Sequence, residues 1–312
     1  MKAKIRIYIT LALLLSITTL SAQKVNSENI ITISGTRFAY PLLNKWIGEY
    51  SKHNSGIQFK ILPSNYQDND ALLRVHVVQL NRNVDSNANQ HLLQVARFAQ
   101  LPYSNIHNPV LSLAGRRGFS RKDINNLFFE TFGFDDDFEV RKQKFNVNVY
   151  SKENQSCLSN SLAGHFGVRP SEIKGSKIFG DENFLLKAVE LDTLGVAYNT
   201  LSVIYDIESR NLHPGISLLP LDLSRDERRI LTGNLDDIIS VLENAKIETI
   251  PVEQIGIDIS QAISNIHVRD FLSWVLGEGQ QFVHQYGFLR LDQQVLAQQT
   301  ARLSEVLVGL NH

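Results

Sequence analysis

Two hydrophobic periods alternate along the chain, and the changes between them mark the predicted elements. The β-branched run Asn29 to Ser34 predicts a strand, and helical spacing follows after Gly35. The apolar residues of that helix are Leu42, Leu43, Trp46 and Ile47. Residues 56–62, GIQFKIL, alternate again and predict a second strand. A strand, a helix and a strand in this order favour a right-handed crossover and a parallel sheet.

Strand and helix patterns keep alternating as far as the C-terminus. The apolar segment 92–106 ends at the turn signal Asn108-Pro109 and is typical of a chain that crosses between two lobes, whereas residues 72–80 fit a strand or a helix. Further strands are predicted at 144–150, 194–199 and 250–260. Two helices are predicted from their caps, one after Ser120 with Asp123 and one after Asn234. Other helices are predicted at 158–166, at 182–192, at 268–288 with a break at 277–279, and at 293–310, where Leu296, Leu303, Val306 and Leu307 share one face. This alternation predicts an α/β fold, and the length of 312 residues with two crossings predicts two lobes.

The first 22 residues have the features of a secretory signal peptide. Lys2, Lys4 and Arg6 precede an apolar run of fourteen residues, which ends in the small-residue site LSAQ. An uncleaved anchor is the alternative, but a bilayer span needs about 20 apolar residues. We therefore expect a periplasmic or secreted protein, cleaved near Ala22, with a mature chain that begins near Gln23.

Charge and cysteine usage limit the partners of the mature chain. Without the three basic signal residues, 28 basic side chains face 32 acidic ones, a formal charge near −4, which argues against nucleic acid as a partner. The single cysteine, Cys157, excludes an internal disulfide, and no cysteine near residue 20 could carry a lipid. We expect no lipid anchor, no cofactor and a monomer.

Catalytic motifs do not support an enzyme. The nine histidines include no His-x-x-x-His or His-x-His pair that would direct two imidazoles at one metal. The acidic run Asp135 to Asp137 has the composition of a solvated turn, and no nucleophile elbow, Walker A loop or dinucleotide fingerprint is present. The sequence favours binding over catalysis.

One corner of the chain suits an anion. Gly35, Thr36, Arg37 and Phe38 lie where the first strand ends and a helix begins, and the amides of a helix N-terminus can hold a phosphate-like group. Small residues at such corners also serve simply to permit the turn, so the stretch alone leaves both interpretations open.

Several segments, in order, resemble the phosphate-binding periplasmic proteins of ABC transporters, of which the chain would be a divergent member. Residues 34–61 are similar to that family's opening strand, helix and strand, and residues 101–129 to its crossover strand, Asn-Pro turn and helix. LGVAYN at 194–199 and the C-terminal stretch 268–291 also resemble family segments. The resemblance implies a type II periplasmic-binding-protein-like fold, with two lobes of mostly parallel sheet flanked by helices and two hinge crossings, near 102–108 and 250–258. Lobe 1 would comprise residues 23–107 and 256–312, and lobe 2 residues 108–255.

The family binds phosphate between its lobes, and its site positions transfer one at a time. The first half-site falls on Thr36, Arg37 and Phe38, and the second on Lys152, Ser156, Cys157 and Leu158. Arg37 stands where the family has a hydroxyl residue, and Cys157 and Leu158 replace a glycine and a threonine. The glycine-rich turn after the second strand has no counterpart, and only Asp68 or Asp70 could replace the acceptor aspartate.

The resemblance implies a solute-binding protein that captures inorganic phosphate or a related oxyanion and delivers it to the membrane permease of an ABC transporter. The alternative is a binding-protein-like module that has lost small-ligand capture and acts in adhesion, as a scaffold or as a sensor. The departures at Cys157 and Leu158 favour this alternative.

Overall fold

The computed structural model describes residues 29–63, 71–78, 91–113, 117–130 and 145–308. The predicted signal peptide, the two candidate acceptor aspartates Asp68 and Asp70, and the acidic run Asp135 to Asp137 lie outside the described residues.

The described residues form nine strands in one mixed sheet. The strands are β1 (Ile30–Gly35), β2 (Gln58–Ile61), β3 (Leu73–Val78), β4 (Leu92–Asn105), β5 (Asn148–Lys152), β6 (Ser176–Ile178), β7 (Gly195–Thr200), β8 (Ile216–Leu218) and β9 (Val252–Asp258). Their order in the sheet is β2-β1-β3-β9-β4-β7-β5-β6, with β8 also paired to β4.

Helices pack against both parts of this sheet. In the described ranges they are α1 (Tyr40–Ser51), α2 (Val110–Leu113), α3 (Arg121–Phe128), α4 (Cys157–Phe166), α5 (Glu182–Leu191), α6 (Leu201–Ile204), α7 (Arg229–Thr232), α8 (Leu235–Asn244), α9 (Ile266–Leu276) and α10 (Gln293–Val308). In the part of the chain that the structure describes, no helix is long and apolar enough to cross a membrane.

The cap signals in the sequence are confirmed. Ser120 accepts a hydrogen bond from the amide of Asp123, whose carboxylate accepts from the Ser120 amide, so α3 begins with the predicted capping box. Asn234 caps α8 in the same reciprocal way with Asp237.

Other boundaries differ from the predicted ones. The ambiguous segment 72–80 contains a strand, β3, because it pairs with β1 and β9. The strand predicted at 144–150 lies later, at Asn148–Lys152, and residues 145–147 do not belong to a strand. The predicted break at 277–279 is confirmed, since α9 ends at Leu276 and short 3₁₀ turns follow.

The sheet contains two parallel regions, joined by antiparallel strands. Strands β1, β2 and β3 are mutually parallel in one region, and β5, β6 and β7 in the other. Strand β4 belongs to both, because Leu92 to Ala99 pair with β9 whereas Gln100 to Ser104 pair with β7. One continuous strand therefore connects the two regions.

The hydrophobic core is divided in the same way. A first cluster packs β1, β3 and β9 against α1 and α9, and a second cluster packs β7 against α3, α4, α5 and α8. Along β4, Phe98 belongs to the first cluster and Ala99 to the second. Where the chain crosses back, Ile250 belongs to the second cluster and Ile255 on β9 to the first. The division into lobes at the predicted residue numbers stays a prediction.

Candidate functional site

The first half-site is fixed by a close approach of two backbones at Gly35. Gly35 ends β1 with φ +117°, a region that favours glycine, and a Cβ there would lie 2.2 Å from the carbonyl oxygen of Val75. The Thr36 amide donates to the same oxygen at 3.0 Å. The chain then enters a 3₁₀ turn, Arg37–Ala39, and α1 with Pro41 in its first turn.

Phe38 contributes backbone but not side chain to this corner. Its side chain is buried, and its ring lies 4.8 Å from that of Phe98 and 6.2 Å from that of Phe288. The ring therefore belongs to the first cluster, whereas its amide is one of the first in a helical turn, which have no acceptor within that turn.

The second half-site is the turn from β5 into α4. Ser156 caps α4 by accepting from the Ser159 amide at 3.0 Å, and Ser159 Oγ donates to the Lys152 carbonyl at 2.8 Å. These two bonds hold the end of the strand against the start of the helix, so Lys152 and Cys157 have fixed positions.

Leu158 packs away from its own neighbours. It lies in α4, whose later residues Leu162 and Phe166 join the second cluster, but its own side chain is 2% exposed and belongs to the first cluster. The buried amide of Gln100 on β4 donates to the Leu158 carbonyl at 3.3 Å and to Ser161 Oγ at 3.1 Å. Leu158 therefore joins the two halves of the molecule.

The two predicted half-sites lie against each other. Thr36 Oγ1 lies 4.0 Å from Cys157 Sγ across 121 positions of sequence. Arg37 Nη2 and Lys152 Nζ donate to the same carbonyl oxygen, that of Gly180, at 3.4 Å and 2.6 Å. A hydroxyl, a thiol and two cations from both halves thus meet at one place.

Carboxylates offset the positive charge of this site. Lys152 is only 3% exposed, and its Nζ lies 3.4 Å from a carboxylate oxygen of Glu153. Glu182, the first residue of α5, is 9% exposed. Burial raises the pKa of Glu182 above its ordinary value, Asp181 adds to the increase, and the positive charges of Lys152 and Arg37 oppose it.

Cys157 is a weak nucleophile in this environment. Burial raises the pKa of its thiol to about 11, although hydrogen bonds from Thr36 and from the amides of Leu158 and Cys157 act in the opposite direction. The thiolate is the reactive form, so a half-buried thiol with this pKa suits packing and weak hydrogen bonding.

A small cavity adjoins Lys152 on the side of the second cluster. This cavity of about 10 Å³ is lined by residues of β4, β5 and α4, among them Gln100, Lys152 and Ser159. That volume is near the lower limit for one water molecule. In the described residues, no group of three or more His, Cys, Asp or Glu side chains could hold a metal ion.

Sequence reasoning missed three residues of this site: Glu153, Gly180 and Glu182. Glu153 is next to Lys152 in the chain, but nothing in the sequence indicated that Lys152 would be buried with this carboxylate beside it. Gly180 and Glu182 follow β6, a three-residue strand without a sequence pattern, and reach the site because β6 pairs with β5. The FGDEN turn before a helix was the only available signal.

Comparisons with known proteins find structural likeness without sequence likeness. No family model matches the chain, and no curated protein does. An ABC-type phosphate transport receptor from Vibrio cholerae is similar in structure, with 10% identity, a TM-score of 0.55, and coverage of 84% of this chain and 100% of that one. A protein from Clostridium perfringens, assigned as a phosphate ABC transporter substrate-binding protein and solved with bound phosphate, has 13% identity, a TM-score of 0.57, and coverage of 85% and 100%.

A regulatory domain is also similar. It is a variant OxyR2 domain from Vibrio vulnificus, with 10% identity, a TM-score of 0.50, and coverage of 80% of this chain and 96% of that one. At these identities the likeness establishes the fold. The predicted periplasmic-binding-protein-like α/β fold is thus confirmed, with a mixed sheet flanked by helices.

Proposed function

We propose that this protein is an extracytoplasmic solute-binding protein that captures phosphate or a related oxyanion between its two lobes and delivers it to the permease of an ABC transporter. The lobes close over the ligand, and no bond is made or broken. The similarity in fold to an ABC-type phosphate transport receptor and to a phosphate-bound substrate-binding protein supports this function.

The observation that carries the proposal is the convergence of Arg37 and Lys152. The two cations follow or end strands in the two different parallel regions of the sheet, and both donate to one oxygen atom, that of Gly180. The turns that bear Thr36 and Cys157 lie against each other there, and the N-terminal amides of a helix are suited to an anion. Cations and amides in a site closed to water are the groups that hold an oxyanion.

We assign to Glu182 the acceptor role for which the sequence offered Asp68 and Asp70, which lie outside the described residues. It is a buried carboxyl group whose pKa responds to both Lys152 and Arg37. A protonated oxygen of hydrogen phosphate could donate a hydrogen bond to it, whereas the fully ionised sulfate has no such proton. The proposal therefore includes a preference for phosphate or arsenate over sulfate.

The second candidate function is a module without small-ligand capture, in adhesion, as a scaffold or as a sensor. Two observations favour it: Lys152 already has the Gly180 carbonyl and Glu153 as partners, and it is only 3% exposed. A similar fold also serves as a regulatory domain in OxyR2.

Calorimetric titration of residues 23–312 with phosphate, arsenate, sulfate and molybdate separates these functions. Binding of phosphate with a preference over sulfate supports transport, whereas no heat and no thermal shift with any of the four anions contradicts it and favours the second function. Arg37→Ala and Lys152→Ala should each weaken phosphate binding by about 10- to 100-fold, because a hydrogen bond to a charged group contributes about 1.5–3 kcal/mol.

Arg117→Ala is the matched control. Arg117 is an exposed arginine whose guanidinium pairs with Asp222 at 2.7 Å, away from the predicted site residues, and we expect its loss to leave phosphate affinity unchanged. Unchanged affinity in both the Arg37 and Lys152 variants would show that the site is elsewhere.

A further inference from the structure

The loop between β6 and α5 already occupies the space between the two cations. Gly180 Cα has φ +91°, and its carbonyl oxygen accepts from Lys152 Nζ at 2.6 Å and from Arg37 Nη2 at 3.4 Å. A carbonyl oxygen between two cationic donors is in the same chemical situation as one oxygen of a bound oxyanion.

Access to Lys152, rather than the number of hydrogen-bond donors, limits the binding of an anion. An ammonium group has three donors and a guanidinium five, so each cation could in principle hold both the carbonyl and a ligand. However, Lys152 is 3% exposed, and the Gly180 carbonyl oxygen lies 2.6 Å from its Nζ. A phosphate ion can therefore reach Lys152 Nζ only if the groups that cover it, the Gly180 carbonyl among them, move aside.

The loop has few attachments on its outer side. Phe179, next to Gly180, and Phe184, in the first turn of α5, are 71% and 59% exposed, although both are large apolar residues. Gly180 is also next to Asp181, which caps α5 through the Asn183 amide at 2.8 Å. The cap can hold the helix while the preceding peptide unit changes its direction, since glycine allows a wide range of backbone angles.

We propose that the Gly180 carbonyl is a built-in competitor for the oxyanion, so that ligand binding requires residues 179–181 to release Arg37 and Lys152. This inference rests on the proposed function. It adds that the backbone of the loop competes with every anion for the two cations, which lowers the affinity and ties capture of the ligand to movement of the loop.

Carbonyl NMR of the wild-type protein tests the inference directly. Gly-Asp occurs once in the sequence, at Gly180-Asp181, so ¹³C-carbonyl glycine combined with ¹⁵N-aspartate gives a single HNCO signal. On titration with phosphate, the Gly180 carbonyl shift should change in proportion to site occupancy and move in the direction of a weaker hydrogen bond. A signal that stays fixed while phosphate saturates the site would overturn the inference.

Gly180→Ala provides an independent test. An alanine Cβ would lie 3.0 Å from the Phe184 ring in a backbone region that disfavours alanine, so the loop should leave the two cations. We expect phosphate to bind at least tenfold more tightly, or about 1.4 kcal/mol. Gly215→Ala is the matched control, because Gly215 has a similar φ of +94° with nothing nearer than 3.9 Å to the added atom, and its affinity should equal that of wild type.

The outcomes separate this inference from the proposed function. If wild type binds phosphate and the folded Gly180 variant binds no more tightly, only the competitor is wrong. If neither protein binds any of the four anions, both proposals are wrong. If Gly180→Ala does not fold, the carbonyl signal of the wild type decides the question alone.

Discussion

Leu158 offers the sharpest test of how the two halves are joined. Its side chain crosses from α4 into the first cluster with 2% exposure. Leu158→Ala removes three buried carbon atoms and leaves a cavity at the contact between the halves. Substitutions of this kind cost about 2–5 kcal/mol of unfolding free energy, and the upper end applies where the surroundings cannot collapse. Because α4 contacts both β3 and β5, the surroundings have little freedom to collapse, and we expect a cost of at least about 3 kcal/mol.

Urea unfolding followed by tryptophan fluorescence measures this cost. Both tryptophans of the chain, Trp46 and Trp274, pack in or against the first cluster, so their emission reports the cluster that Leu158 enters. Leu162→Ala, one turn later in the same helix, removes an equally buried leucine from the second cluster and is the control. The fluorescence transition should move to lower urea in Leu158→Ala, and by at least as much as in Leu162→Ala. A fluorescence transition that Leu158→Ala leaves in place would refute the packing described here.

Three further predictions concern the corners of the site. Gly35→Ala should cost several kcal/mol, because its Cβ would overlap a backbone carbonyl at 2.2 Å, whereas Gly48→Ala in open space on α1 should stabilise the protein by about 0.5–1 kcal/mol; thermal unfolding of both compares them. The Cys157 thiol, with a pKa of about 11, should react with iodoacetamide at pH 8 at least tenfold more slowly in the folded protein than in urea, and equal rates by mass spectrometry would contradict its burial. Because the pKa of Glu182 is raised in the folded state, its contribution to folding stability is complete below the ordinary pKa of 4.5 and is lost as the pH rises through the raised value. Glu182→Gln should therefore be more stable than wild type at pH 8 and should lose that advantage near pH 4. An advantage that does not depend on pH would show that ionisation of the carboxyl group is not the cause.

Local signals predicted most of the elements that position the site. Ser120 and Asn234 predicted the starts of their helices, because a cap is a short-range interaction between residues three apart. Strands β6 and β8 have three residues each and carry no readable period, so they form only because long-range partners, β5 and β4, are present. Strand β3, within the segment that fitted either a strand or a helix, likewise forms because β1 and β9 are its partners.

The site divides in the same manner. The sequence proposed both half-sites by resemblance, and the structure brings Thr36 and Cys157 to 4.0 Å of each other. The sequence could not predict that the Gly180 carbonyl lies between the two cations, because every residue has a backbone carbonyl and only the fold determines which one is placed there. The burial of Glu182 also depends on which helix packs over the end of β5, and that information is not local.

The central claim is that an oxyanion binds between Arg37 and Lys152, and crystals grown with arsenate test it most directly. Anomalous scattering from arsenic locates the ion without reference to any interpretation of the chain. The account predicts one ordered arsenate within hydrogen-bond distance of Arg37 and Lys152, with the Gly180 carbonyl displaced from both. Saturating arsenate with no anomalous peak between the Thr36 and Cys157 turns, or a peak elsewhere on the protein alone, would contradict it.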